Sequence, residues 1–157
     1  MLRDAHLGSI WEGTSNIVAL DVARAVRRED ALTALQAHVT ETLDQAKETL
    51  GEQTAIADSF ARTADFLDAV ANTRDREIET RAAASAVYNA SSAAFLAWED
   101  SQLRLVGNKT TGDRLAIAQN VLRHKLSARD PYAQDADEAD LAARLLSEDN
   151  ATLEAAQ

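Results

Sequence analysis

The sequence has no cysteine, a single proline, five glycines and few aromatic residues among its 157 positions. Without cysteine, the chain can form no disulfide, has no thiol nucleophile and offers no thiolate ligand to a metal. Aromatic residues make up only 4% of the sequence, whereas apolar residues of all kinds make up 46%, much of it alanine. This composition argues against disorder and favours a helical domain in which small side chains allow close packing.

Positive charge is also scarce. The chain has 16 lysines and arginines but 26 aspartates and glutamates, so its formal net charge is −10. Proteins that bind nucleic acid or anionic membranes without specificity need a basic face that neutralises phosphates. The basic cluster of Arg24, Arg27 and Arg28 is followed at once by Glu29 and Asp30. We therefore expect neither nucleic acid nor a membrane among the partners.

Long apolar runs are absent, and none approaches the ~20 residues that a membrane-spanning helix needs. Arg3, Asp4 and His6 interrupt the first residues, so the sequence predicts no signal peptide. His6, His38 and His124 are scattered and have no acids at ligand spacing, so we predict no metal site. These observations predict a soluble, cytoplasmic protein.

Helical periodicity runs along most of the chain. Thr14 is a suitable N-cap for a first helix to about Arg28, whose narrow polar stripe predicts burial on most sides. Asp30 is expected to cap a second helix that Gly51 ends, and a third helix is predicted over roughly 53–71. A fourth and longest helix follows over about 75–105, with Thr73 as a possible cap.

The remaining segments predict a turn, two helices and a tail. Gly107 to Gly112 reads as a turn, and a fifth helix is predicted from about Asp113 to Ser127. A short helix is expected over 136–146. The fold class is therefore all-α, an up-and-down helical bundle of about five or six helices. The expected domain organisation is a signature loop and helix over 1–28, a bundle over 29–147 in the same compact domain, and a frayed acidic tail over 148–157.

One segment carries a chemical motif, and it lies just ahead of the first helix. It reads Leu2-Arg3-Asp4-Ala5-His6-Leu7-Gly8-Ser9-Ile10-Trp11-Glu12-Gly13-Thr14-Ser15-Asn16-Ile17. The Arg-Asp-Ala string followed by aromatic-Glu-Gly-Thr closely resembles the C-terminal signature of the acyl-CoA dehydrogenase family. Trp11 stands where tyrosine is common in that family, and Asn16 stands where glutamine is common. The long helical continuation is similar to the branch with an added C-terminal region, closest to the adaptive alkylation-response type.

The resemblance implies an FAD-dependent dehydrogenation of an acyl-CoA thioester, with Glu12 as the catalytic base. It places Trp11 and Gly13 at the substrate and Thr14, Ser15 and Asn16 at the flavin. A desolvated carboxylate has a raised pKa, which suits the removal of a proton beside a thioester carbonyl. On charge and position alone, the better explanation of Glu12 is a surface acid that is favoured by a helix N-terminus. Thr14 and Ser15 are likewise explained as helix caps.

The family carries this signature near the end of a longer enzyme, after an N-terminal helical domain and a β-domain. The resemblance therefore implies the C-terminal domain of such an enzyme, which lacks the parts that complete the site. We expect those domains, the acyl-CoA substrate and further copies of the chain as partners, and we expect the chain alone to be inactive and not to retain FAD. The alternative is a non-catalytic helical interaction or oligomerisation module that keeps a remnant of the motif.

Overall fold

The computed structural model describes residues 15–108, 110–127, 140–144 and 146, and for Ser15 only its place in a helix. Four long helices come first: α1 Ser15–Glu29, α2 Ala31–Leu50, α3 Thr54–Ala71 and α4 Thr80–Leu105. A 3₁₀ segment, Arg74–Glu79, joins α3 to α4, and α5 Asp113–Val121 continues into a π-helical turn, Leu122–Leu126. Residues 140–144 and 146 are also helical, and no strand occurs in these ranges. The predicted all-α helical bundle is confirmed.

The central element is α4, which contacts α1, α2, α3 and α5. Its inward side carries small residues, among which Ala90, Ala93, Ala94 and Ala97 have no exposed surface. Because alanine projects only a methyl group, neighbouring helices can approach this side closely. Larger side chains complete the core from the surrounding helices, including Val39, Ile56, Phe60, Leu67 and Val70.

The first helix departs from the prediction of burial on most sides. Ala19 and Ala23 are buried, but Ile17, Val18 and Leu20 are 50%, 47% and 44% exposed. At about 100° per residue, these three positions fall within an arc of about 160° on the side opposite to the buried Ala19 and Ala23. The start of α1 therefore presents a broad apolar surface that faces away from the bundle.

The predicted start of the fourth helix and the role of Thr73 were also wrong. The segment Arg74–Glu79 is 3₁₀, the α-helix begins only at Thr80, and Thr73 makes no capping hydrogen bond through its side chain. Arg76 ties this tighter segment down, because its guanidinium donates to both carboxylate oxygens of Glu79 at 2.8 Å. The same guanidinium lies 5.4 Å from the centre of the Phe66 ring on α3.

Two other local predictions needed correction. Asp30 does precede α2, but its side chain accepts a hydrogen bond from the Thr33 hydroxyl rather than from a backbone amide. The predicted fifth helix keeps its α-helical form only to Val121, and Leu122–Leu126 forms a π-helical turn. Gly51 ends α2 as predicted, since it adopts a positive φ of 73° and its amide donates to the Lys47 carbonyl at 2.9 Å.

Candidate functional site

Most of the predicted site residues lie outside the described part of the chain. Trp11, Glu12, Gly13 and Thr14 belong to the segment before residue 15, so their roles stay predictions. Ser15 is the first residue of α1. Asn16 follows it, is exposed, and lines a groove on the bundle surface. The structure therefore places one predicted cofactor residue, Asn16, in a defined concave site.

This groove, called here the α1 groove, runs between α1 and the 3₁₀ segment. It has two adjoining parts, called here the outer part, of about 280 Å³, which Asn16 and Ile78 line, and the inner part, of about 310 Å³, which Arg27 and Val70 line. Leu20, Glu77 and Thr80 line both parts, which makes the groove continuous. Apolar side chains from α1 and α3 form much of its wall, and Ile78 stands at its outer part with 92% of its surface exposed.

Three arginines also line the α1 groove. Arg27 and Arg74 lie in the inner part, and Arg81 lies in the outer part with Asn16. The Arg27 guanidinium donates to the backbone carbonyl of Ala71 at 3.2 Å, which holds it against the end of α3. Within the described ranges, none of the three has a carboxylate oxygen within 4.0 Å. The groove is therefore locally cationic in a strongly acidic chain.

The 3₁₀ segment forms one wall of the groove, and it is held by an ion pair between Arg76 and Glu79, which do not line the groove. The hydrogen bond from Arg76 lowers the pKa of Glu79 below its ordinary 4.5. The same contact raises the pKa of Arg76. Glu79 thus stays ionised at neutral pH and keeps Arg76 oriented over Phe66. Glu77, on the same segment, is the acid that does line the groove.

The structure also reveals a buried polar centre at the other end of α4 that sequence reasoning missed. Asp100 is fully buried, and its Oδ1 accepts hydrogen bonds from the amides of Gly112 at 2.6 Å and Leu115 at 3.4 Å. Its Oδ2 accepts one from the Arg104 Nε at 2.8 Å. Asp100 therefore caps α5 from another helix. The available signal was an acid four residues before an arginine and shortly before the Gly107–Gly112 turn.

A second buried acid, Asp113, lies beside this centre at the first position of α5. Its Oδ1 contacts the Arg144 guanidinium at 2.6 Å, which links residues 140–144 to the bundle. Among the described residues, there is no group of three or more His, Asp or Glu side chains that could hold a metal ion. Both aspartates are engaged with helix amides or arginines, so this centre supports the fold.

Comparison with known proteins found no match to this chain among family models, curated proteins or solved structures. None of the helices that the structure describes is both long and apolar enough to cross a membrane.

Proposed function

We propose that this chain is the C-terminal helical domain of an FAD-dependent acyl-CoA dehydrogenase, and that it supplies the catalytic base Glu12. The observation that carries the proposal is the string of Arg3-Asp4-Ala5 and Trp11-Glu12-Gly13-Thr14, which leads directly into a helix. A helical element beginning at Ser15 is what the resemblance requires of the residues after the Glu-Gly-Thr sequence. The all-helical bundle that follows is compatible with the branch that has an added C-terminal region.

The chemistry assigned to the chain is a proton transfer. The Glu12 carboxylate takes the proton from the carbon next to the thioester carbonyl, while the bond between that carbon and its neighbour becomes double. Thr14, Ser15 and Asn16 would hold the flavin, which would supply the acceptor for the hydride on the neighbouring carbon. Trp11 excludes water from the carboxylate, and Gly13 lets the acyl chain approach because it has no side chain.

Cofactor binding is assigned to Thr14, Ser15 and Asn16. Of these, Asn16 is exposed at the first turn of α1, so its amide is accessible to a polar group of the flavin dinucleotide. The exposed Ile17 and Val18 beside it provide apolar surface for the N-terminal helical domain or the β-domain of the parent enzyme. The bundle does not bury these side chains itself, which supports a larger assembly.

The test is a flavin titration of this chain alone and then of its mixture with the N-terminal and β-domains that the proposal requires. We expect tight FAD binding, and bleaching of the flavin by acyl-CoA, only in the mixture. Glu12→Gln should keep FAD binding and abolish bleaching, whereas Glu29→Gln, a matched change in an exposed acid of α1, should leave both intact. Absence of FAD binding in the mixture would sink the enzymatic proposal.

The second candidate is a non-catalytic helical interaction or oligomerisation module. The exposed apolar first turn of α1 favours it, because such a surface can equally dock a partner protein or another copy of the chain. The Glu12→Gln variant separates the two candidates, because only the dehydrogenase makes bleaching by acyl-CoA depend on this carboxylate. Under the module hypothesis the chain assembles with itself or a partner, and Glu12→Gln changes no measured property.

A further inference from the structure

The α1 groove holds an excess of positive charge that the proposed function does not use. Arg27, Arg74 and Arg81 line it against a single acid, Glu77. The whole chain carries 26 acids and 16 lysines and arginines. Three arginines in one groove that have no carboxylate oxygen within 4.0 Å among the described residues are therefore unusual for this chain. Guanidinium groups match phosphate oxygens in geometry and charge.

We propose that the α1 groove binds an organic diphosphate. Arginines are present in both parts of the groove, Arg27 and Arg74 in the inner part and Arg81 in the outer part, which suits two linked phosphates better than one. Arg27 is already oriented by its hydrogen bond to the Ala71 carbonyl, so part of its side-chain freedom is lost before a ligand binds.

The walls of the groove select for an organic group attached to the diphosphate. Leu20, Ala23 and Val70 line the inner part, and the exposed Ile78 lies at the outer part. A nucleoside diphosphate or an alkyl diphosphate would place its phosphates on the arginines and its remaining part on this apolar surface. Asn16, which the proposed function assigns to the flavin dinucleotide, lines the outer part of the same groove, but the diphosphate proposal rests on the arginines and requires neither a flavin nor Glu12.

Calorimetric titration of the chain with inorganic phosphate, pyrophosphate, ADP and geranyl diphosphate tests the proposal. We expect pyrophosphate to bind at least tenfold more tightly than phosphate, and one of the two organic diphosphates to bind more tightly still. ADP and geranyl diphosphate distinguish a nucleotide from an alkyl ligand. Equal affinity for phosphate and pyrophosphate, or no binding of any of the four, would overturn the proposal.

Matched variants tie the binding to the groove. Arg74→Gln and Arg81→Gln change exposed residues and should each weaken pyrophosphate binding about five- to tenfold. Glu77→Gln removes the acid of the groove and should tighten binding, a result that a general loss of structure cannot give. Arg114→Gln removes an arginine paired with Glu99 outside the groove and should have no effect. Equal losses in Arg74→Gln and Arg114→Gln would overturn the assignment.

Binding by the wild-type chain together with absent FAD binding in the domain mixture would uphold the groove and reject the dehydrogenase. The reverse outcome would reject the groove and uphold the dehydrogenase. The two proposals therefore fail separately.

Discussion

At the scale of single residues, Asp100 shows how one buried acid can fix the geometry of two helices. Its carboxylate satisfies the amides of Gly112 and Leu115 at the start of α5, and it also holds Arg104 on its own helix. Burying a carboxylate is costly unless its oxygens are hydrogen-bonded, and here both oxygens have donors. Removing the carboxylate would leave two helix amides and a partly buried guanidinium without this acceptor.

We expect Asp100→Ala to lower the free energy of unfolding by about 3 kcal/mol, since it breaks a buried pair and removes a cap. Asp100→Asn keeps one acceptor for Gly112 and should cost about 1–2 kcal/mol. Urea denaturation measures both changes. The neighbouring Glu99 forms an exposed pair with Arg114, so Glu99→Ala should cost less than about 0.5 kcal/mol. Similar losses at positions 99 and 100 would contradict the capping role.

Exposed ion pairs give the fold a weak dependence on acidity. Hydrogen bonds from Arg76 and Lys47 lower the pKa values of Glu79 and Glu52 below 4.5. A carboxyl whose pKa is lower in the folded state contributes stability above its unfolded pKa, and that stability is lost as the pH falls.

We therefore expect the urea midpoint to fall as the pH drops from about 5 towards 3, and to fall less in the double variant Glu52→Gln, Glu79→Gln. The double variant Glu41→Gln, Glu48→Gln changes two other exposed acids of the same charge and serves as the control. An identical fall in the wild-type chain and in the Glu52, Glu79 double variant would show that these pairs contribute nothing.

At the scale of elements, the alanines of α4 set how closely the helices pack. Ala94 has no exposed surface, so a leucine there would force neighbouring helices apart. We expect Ala94→Leu to destabilise the chain by about 1–3 kcal/mol. Ala82→Leu, at an exposed position of the same helix, should change the stability by less than about 0.5 kcal/mol. Thermal or urea unfolding of the two variants makes the comparison, and equal stabilities would argue against close packing at Ala94.

The helices themselves could be predicted because their apolar residues recur every three or four positions. Leu32, Val39 and Ala46 in α2 and Ile56, Phe60 and Leu67 in α3 are buried as that spacing requires. The 3₁₀ segment before Thr80 could not be predicted, because its charged residues fit an α-helical turn equally well. The contact of Arg76 with Phe66, which no local pattern encodes, accompanies the tighter turn.

The candidate sites also differ in how far their residues lie apart along the chain, and this decides which of them the sequence could predict. The Glu12 motif is a run of neighbouring residues, so sequence could propose it, and its geometry lies outside the described residues. The α1 groove joins Arg27 to Arg74 and Arg81, which are more than 40 positions away along the chain. Only the packing of α1 against α3 and α4 brings them together. Asp100 escaped prediction because an acid within a helix usually indicates the exposed face.

At the scale of the whole molecule, the net charge of −10 opposes both compactness and the approach of an anion. Salt screens the distant acids more strongly than the close contacts of a ligand, because the screening length is about 10 Å at 0.1 M. Stability should therefore rise when sodium chloride increases from about 0.02 to 0.5 M, since the acids then repel one another less. The urea midpoint measures this change.

Diphosphate binding should respond to salt in the opposite direction. If arginines of the α1 groove contact the phosphates, added chloride weakens that attraction and competes for the same guanidinium groups, so affinity falls as stability rises. The decrease should be smaller in Arg74→Gln and Arg81→Gln, because fewer cations remain to be screened, and unchanged in Arg114→Gln. Affinity that rises with salt would mean that repulsion from the 26 acids outweighs the local arginines, and the groove would then lack the field that a diphosphate requires.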